Sequence, residues 1–352
     1  MNFWQIRILY IGILVVMALS LAACTAGAVP VPTGTIEQAE ETPSQAVSET
    51  PSELQKVELA VGYIPDVQFA PLYVAQQKGF YAEEGLEVEI KHGLKENDMV
   101  ALTAQGELEF AIASGDQVIL ARAQGIPITY VMKWYQRYPV AVMALAESGI
   151  STPEDLMGQT VGLPGFYGAN FIGWKALVYA TGLDENQITL QEIGFTQAAA
   201  VQQGLVEAAM VYIANEPNQL LSQGIEINII EVSDYIDLVS NGLIVGDKLK
   251  AEDPDMVQRM TRATLRGITD VIAHPDEAFA IVRQVIPEMT DDAAPTQRRV
   301  LASSIELWQS DRPGFSEPQA WQASADFMEQ TDLLEKEIEP ETLYTNRFIV
   351  ED

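Results

Sequence analysis

Five short stretches of this 352-residue chain gather the side chains best suited to chemistry. They are Ile64–Tyr73 (IPDVQFAPLY), Ser114–Gln117 (SGDQ), Lys133–Tyr138 (KWYQRY), Pro164–Asn170 (PGFYGAN) and Tyr212–Pro217 (YIANEP). Their shared content is rings, amides and glycines. Phe69, Trp134, Tyr135, Phe166, Tyr167 and Tyr212 offer flat faces. Gln68, Gln117, Asn170, Asn215 and, further on, Asn241 offer paired donors and acceptors. Aromatic faces stack on a planar ligand and amides read its polar edge, so the chemistry is recognition of a flat, uncharged, hydrogen-bonding molecule. Asp66, Asp116 and Glu216 outnumber Lys133 and Arg137 in these stretches, which disfavours an anion. Several of these residues also have plainer uses. Asp66 and Ser114 suit helix caps. Glu216 precedes Pro217 and suits a helix start. Gly165 and Gly168 suit a tight turn, and their segment lacks the Lys-Ser/Thr ending of a phosphate loop.

Catalysis finds no comparable footing. The chain has no Gly-x-Ser-x-Gly elbow, and its two histidines, His92 and His274, lie far apart with no ligand-like spacing. A His-based metal site is therefore not expected. The single cysteine, Cys24, rules out an intrachain disulfide and a cysteine-based cluster. The expectation is a binding protein, not an enzyme, without metal or cofactor.

Each stretch follows an apolar segment of strand length. Val57–Tyr63, Leu86–Lys91, Phe110–Ala113 and Ile128–Trp134 read as strands, separated by helical segments Pro71–Lys78, Glu96–Gln105 and Asp116–Gln124. A second series follows, with strands at Val140–Leu145, Thr160–Leu163, Ile188–Ile193, Ala208–Ile213 and Ile227–Glu231. Its helices fall at Thr152–Met157, Ala169–Thr181, Thr196–Gln203 and Pro217–Gln223. Leu243–Val245 reads as one more strand, and everything beyond Asp253 reads helical. Strands alternating with helices of this length predict βαβ units and mostly parallel sheets. Two such series predict two lobes, with the ligand outside the carboxyl ends of the strands.

The N-terminus carries a different message. Arg7 is the one charge in Met1–Tyr10, Ile8–Leu21 is apolar, and Leu21-Ala22-Ala23-Cys24 follows. A basic start, an apolar core and a small-residue cleavage site make a secretory signal, and about 14 apolar residues fall short of the roughly 20 that span a bilayer. The last four residues resemble a bacterial lipobox, which implies cleavage before Cys24 and acylation of its thiol. An ordinary signal peptide with an incidental cysteine, or an uncleaved anchor, is the alternative. Thr25–Gln55 is rich in Pro, Thr, Ser, Ala and Glu and lacks aromatics, so it reads as a disordered tether with a reach of roughly 30 Å.

Composition narrows the partners. With 20 basic and 50 acidic residues the net charge is -30. Nucleic acid is excluded, since its affinity comes from Lys and Arg at phosphates. Direct adhesion to anionic lipid is equally disfavoured, which leaves anchoring to the lipid on Cys24. The charge serves solubility, with a cationic ligand as the alternative. The hydrophobic share of 48% supports large cores.

Gly62-Tyr63-Ile64-Pro65-Asp66-Val67-Gln68-Phe69-Ala70-Pro71-Leu72-Tyr73-Val74-Ala75, then Lys78-Gly79-Phe80-Tyr81 and Glu84-Gly85-Leu86, resemble the opening of the substrate-binding proteins related to thiamine-pyrimidine synthases. Ser151–Gly158 and Val161-Gly162 resemble that family's passage into a second lobe. The resemblance spans about residues 57–330. It implies an α/β, two-lobe periplasmic-binding-protein fold (type II-like) with parallel-rich sheets and a helical C-terminal region. The expected division is a signal peptide at 1–23, lipidated cysteine and tether at 24–55, lobe 1 at 57–138 plus 243–352, and lobe 2 at 139–242. Hinges are expected near Tyr138–Pro139 and Asn241–Gly242. It further implies a lipid-anchored, monomeric protein outside the cytoplasmic membrane that delivers its ligand to an ABC permease and its ATPase.

For the ligand, the string from Tyr63 to Ala75 is most similar to the riboflavin-binding lipoproteins of that superfamily. A thiamine pyrimidine precursor is the alternative, and a stacked aminopyrimidine would suit Glu216. A cofactor-consuming pyrimidine synthase is a third reading, which the export signal and the lack of further cysteines oppose. The implied ligand-binding set is Asp66, Gln68, Phe69, Ser114, Gln117, Trp134, Tyr135, Phe166, Tyr167, Asn170, Tyr212, Asn215, Glu216 and Asn241.

Overall fold

The computed structural model describes residues 53–334 and 336–349. The expected signal peptide, Cys24 and most of the tether lie outside the described residues. Ten strands form two sheets of five. The first contains β1 (Gln55–Val61), β2 (Leu86–His92), β3 (Phe110–Ser114), β4 (Ile128–Lys133) and β10 (Asn241–Gly246), in the order β2-β1-β3-β10-β4. The second contains β5 (Val140–Leu145), β6 (Thr160–Leu163), β7 (Thr189–Glu192), β8 (Ala208–Tyr212) and β9 (Ile227–Glu231), in the order β7-β6-β8-β5-β9. β1 pairs in parallel with β2 and β3, while β10 runs antiparallel to both β3 and β4. β6 pairs in parallel with β7 and β8, and β5 runs antiparallel to β8 and β9. Each sheet is therefore mixed: a single reversed strand, β10 or β5, sits among four that point one way.

Those reversed strands have a common cause. Each is the first strand after the chain crosses from one sheet to the other. It enters from the opposite end and needs no returning helix. The two crossings, between β4 and β5 and between β9 and β10, lie against each other. The Trp134 N–H donates to Asn241 O at 2.8 Å, and the Ser240 hydroxyl donates to Tyr135 O. At Gly242 a Cβ would meet the Tyr130 ring at 2.0 Å, so the second crossing admits only glycine without rearrangement.

Strand alternation divides the core. Leu59, Val61, Phe110 and Ile112 face the helices Ala70–Gln77, Pro254–Ala273, Pro275–Val285 and Ala294–Trp308. Ala60, Ala111 and Ala113, on the opposite face, join a cluster that continues through Tyr130 and Tyr138 into Val140, Val142, Val161 and Met210 of the second sheet. Ala141, Met143, Ala209 and Val211 turn the other way, toward the helix Gln197–Gln202. A period of two with both faces apolar is what a sheet covered on both sides requires. The long helix Pro254–Ala273 approaches Ala70–Gln77 closely. A Cβ at Gly267 would stand 2.3 Å from Pro71 O.

The C-terminal segment completes the first sheet's edge. Tyr130 N–H donates to Leu343 O at 3.0 Å and Thr345 N–H to Tyr130 O at 2.9 Å, while Tyr344 stacks on Trp321 with ring centroids 5.1 Å apart. Of the expected elements, Thr152–Met157 is a single 3-10 turn, Pro153–Leu156, closed by a capping box between Thr152 and Asp155. No helix among the described residues is long and apolar enough to cross a membrane.

Candidate functional site

The carboxyl ends of the strands converge on one cavity of about 310 Å³ between the two sheets. Its wall takes Gly62, Tyr63, Gln68 and Phe69 from beyond β1, Lys95 and Glu96 from beyond β2, and Trp134 and Tyr135 from beyond β4. The second sheet contributes Tyr167 and Asn170 after β6, Phe195 and Gln197 after β7, and Tyr212, Asn215 and Glu216 at the end of β8. Asn241, which opens β10, stands between them. The volume is at the lower end of the range for small-molecule pockets, about 300–1,000 Å³.

Of the fourteen ligand-binding residues expected from sequence, ten line this cavity: Gln68, Phe69, Trp134, Tyr135, Tyr167, Asn170, Tyr212, Asn215, Glu216 and Asn241. Asp66, Ser114, Gln117 and Phe166 do not. Asp66 is buried and caps the turn Val67–Phe69, accepting from the Gln68 N–H at 3.1 Å and from Gln297 Nε2 at 3.2 Å. Ser114 is buried behind the wall, where its N–H and Oγ donate to Glu96 Oε1 at 2.5 and 2.7 Å. Gln117 is buried in the helix Gly115–Ala123. Phe166 is 49% exposed and meets Phe171 edge to face. Asp66 thus has its plainer use as a cap, whereas Ser114 stands at a helix start without capping it.

The aromatic wall differs in kind from one side to the other. Trp134 is 1% exposed and Tyr135 is 3%, because both lie in a ring cluster with Trp308. Trp134 meets Trp308 edge to face at 5.8 Å, and Tyr135 stacks parallel to it at 6.3 Å. Tyr167 is 36% exposed, and its ring lies over Gly165, where a Cβ would approach Cε1 to 2.4 Å. Tyr63 and Phe195 meet edge to face at 5.7 Å, joining the strand ends of the two sheets. One wall is locked in a buried ring cluster, while the other presents a ring with about a third of its surface open.

The polar groups are sparse and inward. Glu216 is buried; one oxygen accepts from the Tyr212 N–H at 3.0 Å. Burial, with the Asp66 charge adding to it, pushes its carboxyl up to about 7 against the backbone hydrogen bonds that oppose the shift. Burial raises Tyr63 to about 12, so its phenol stays protonated. Asn241 exchanges hydrogen bonds with the Tyr212 hydroxyl at 3.3 and 3.5 Å. The Asn170 Oδ1 is buried at the first turn of the helix Gly168–Thr181 with no partner among the described residues. A buried acceptor of this kind strongly favours a ligand that donates to it. Together these groups suit a neutral ring system with both donors and acceptors on its edge.

The sequence reading missed Tyr63, Lys95, Glu96, Phe195 and Gln197 as wall residues. The signal was available in the rule already applied: each lies within a few residues of a strand's carboxyl end. In the sequence Glu96 stands only as the start of a helix, and Lys95 and Phe195 fall in the links between strand and helix.

The description NMT1/THI5 like fits residues 66–278 of this chain. The riboflavin-binding protein RibY of Chloroflexus aurantiacus is 40% identical over 98% of both chains. The chain belongs to the NMT1/THI5-like family. Another relative, the formylaminopyrimidine-binding protein of Halalkalibacterium halodurans, is 29% identical over 83% of this chain and 90% of its own. Both relatives are named for binding, not catalysis. Among solved structures, the periplasmic aliphatic sulphonate binding protein SsuA of Escherichia coli matches with a TM-score of 0.66 at 14% identity, covering 82% of this chain and 97% of its own. At that identity the likeness speaks to fold alone, and it is the two-lobe periplasmic-binding-protein fold. Membership in the NMT1/THI5-like family and this fold agree with the expectations drawn from Gly62–Ala75 and Ser151–Gly162.

Proposed function

We propose that this protein is the ligand-capturing component of an ABC importer, held outside the cytoplasmic membrane by acylated Cys24, and that its ligand is riboflavin. The observation that carries the reading is the cavity itself. It has a buried aromatic wall at Trp134 and Tyr135, a half-exposed ring at Tyr167, and at its edge the Asn170 Oδ1, which has no partner among the described residues. The 40% identity to a riboflavin-binding protein over nearly the whole chain supports the same ligand. The isoalloxazine ring stacks between the two walls. Its polar edge is read by Asn170, Asn215, Asn241 and Glu216, whose raised carboxyl can donate as well as accept. Bending at the paired crossings around Trp134–Pro139 and Ser240–Gly242 closes the lobes on the ligand, as in other hinge-closing proteins.

A second reading, a formylated or hydroxymethylated aminopyrimidine, is favoured by Glu216 alone, since a carboxyl can pair with an amino-substituted ring edge. Thermal stability of the full chain with each ligand separates the two. A specific ligand held at 100 times its dissociation constant stabilises by about 2.7 kcal/mol. Stabilisation by riboflavin and not by the aminopyrimidine is expected. The reverse pattern would replace the ligand and leave the capture role standing.

A further inference from the structure

A helix N-terminus pointing into a cleft is normally an anion seat, because its first N–H groups are free and its dipole is positive there. The helix Gly168–Thr181, fourteen residues long, points its first turn into this cavity through Gly168, Ala169 and Asn170. The seat is already filled. Glu96, from the opposite sheet's helix Glu96–Gln105, turns its carboxylate onto it. Glu96 accepts from the Ala169 backbone N–H, and a Cβ at Gly168 would come within 2.9 Å of its Oε2. Its other oxygen accepts both the Ser114 N–H and the Ser114 hydroxyl. The Ala169 N–H, and the space over Gly168 that a phosphate or sulfonate would occupy, are thereby taken by a side chain of the protein.

The surroundings offer no substitute. Lys95 is the one cation on the wall among the described residues. Lys133 is paired with Glu317 at 2.8 Å and Arg137 with Glu231. Asp116 is buried behind Glu96, where burial and the Glu96 charge push its carboxyl up to about 7, and Glu216 is a second carboxyl on the wall. An anion entering this end would meet the Glu96 carboxyl first, which burial raises and the hydrogen bonds from Ser114 and Ala169 pull back toward the charged form.

We infer that Glu96 is a built-in counter-anion that fills the anion seat of the second sheet's long helix, so that the cavity admits neutral ligands and rejects their phosphomonoesters. This rests on the riboflavin reading for the ligand's identity, but not for the role of Glu96. The Glu96 carboxyl also ties the two sheets together at the cavity, through Ser114 on one side and Ala169 on the other.

The test uses the full chain, its Glu96→Gln variant and its Glu96→Ala variant, with riboflavin, riboflavin 5′-phosphate and inorganic sulfate as probes. Like charges juxtaposed out of water cost several kcal/mol, so the wild type should bind riboflavin at least about 100-fold tighter than its phosphate. Glu96→Gln removes the charge at nearly constant shape and should narrow that gap by about tenfold or more. Glu96→Ala frees the donors of Ser114 and Ala169, and sulfate should then raise its melting temperature while leaving the wild type unmoved. Equal affinity of the wild type for both flavins, or an unchanged gap in Glu96→Gln, would overturn the inference. If the wild type binds neither flavin, the ligand reading fails. The sulfate comparison then decides the role of Glu96 by itself: sulfate stabilising wild type and Glu96→Ala alike would refute it.

Discussion

Replacing Trp134 and Tyr167 by alanine, one at a time, separates the buried wall of the cavity from the half-exposed one. Both rings line it, yet Trp134 is 1% exposed and Tyr167 is 36%. Trp134 fills space between Tyr135, at 6.2 Å, and Trp308, at 5.8 Å, beside the crossing where its N–H bonds Asn241 O. Truncating a buried tryptophan costs about 3–5 kcal/mol, a large part of the roughly 5–15 kcal/mol that holds a domain folded. Trp134→Ala should therefore lower the urea midpoint sharply and lose ligand as a consequence. Tyr167 rests on Gly165 and keeps about a third of its surface in water, so its removal should cost clearly less than that of Trp134, about 1 kcal/mol. It removes one stacking partner, worth about 0.5–1.5 kcal/mol, or roughly two- to tenfold in affinity. Urea denaturation and ligand titration on both variants measure the two effects independently. A Trp134→Ala protein with wild-type stability, or a Tyr167→Ala protein that binds like wild type, would refute this division of labour.

Three further outcomes follow from the same geometry. Glu216 holds its proton up to about pH 7 when folded and to about pH 4.3 when unfolded, so its contribution to stability is full below the lower value and lost as pH rises through the higher one. The loss is about 4 kcal/mol, and Glu216→Gln should be more stable than wild type at pH 8 and show a flatter urea midpoint from pH 5 to 8; parallel slopes would refute it. Gly165→Ala drives a Cβ to 2.4 Å from the Tyr167 ring and should swing that exposed ring away, weakening ligand binding with little loss of melting temperature. Gly242→Ala places a Cβ 2.0 Å from the Tyr130 ring at the second crossing and should cost about 1–3 kcal/mol or more by calorimetry, since that ring is fully buried and its hydroxyl donates to Asn241 O.

The order of the elements was legible in the sequence because strands buried on both faces leave continuous apolar runs, and Phe110–Ala113 and Val140–Leu145 are such runs. The reversal of β5 and β10 was not, since an apolar run carries no direction; direction comes from where the chain crosses between sheets. The site was legible to the extent that it obeys the strand-end rule, which placed Gln68, Phe69, Asn170, Asn215 and Glu216 on the wall. What the rule does not encode is depth. Ser114 ends β3 and Gln117 follows it much as Asn215 follows β8, and both strands are central in their sheets, yet the end of β3 is covered by Glu96 from the preceding helix. Trp134 and Tyr135 sit on the wall but are held by Trp308, a residue about 170 positions downstream whose contact no local pattern announces.

The central claim, capture of riboflavin in this cavity, is met most directly by titrating the full chain into riboflavin and following flavin fluorescence. Stacking against Trp134, Tyr135 and Tyr167 should quench the emission. The account predicts saturable one-to-one quenching that excess aminopyrimidine does not reverse and that Tyr167→Ala weakens. Unchanged flavin emission at concentrations where the aminopyrimidine stabilises the protein would contradict it.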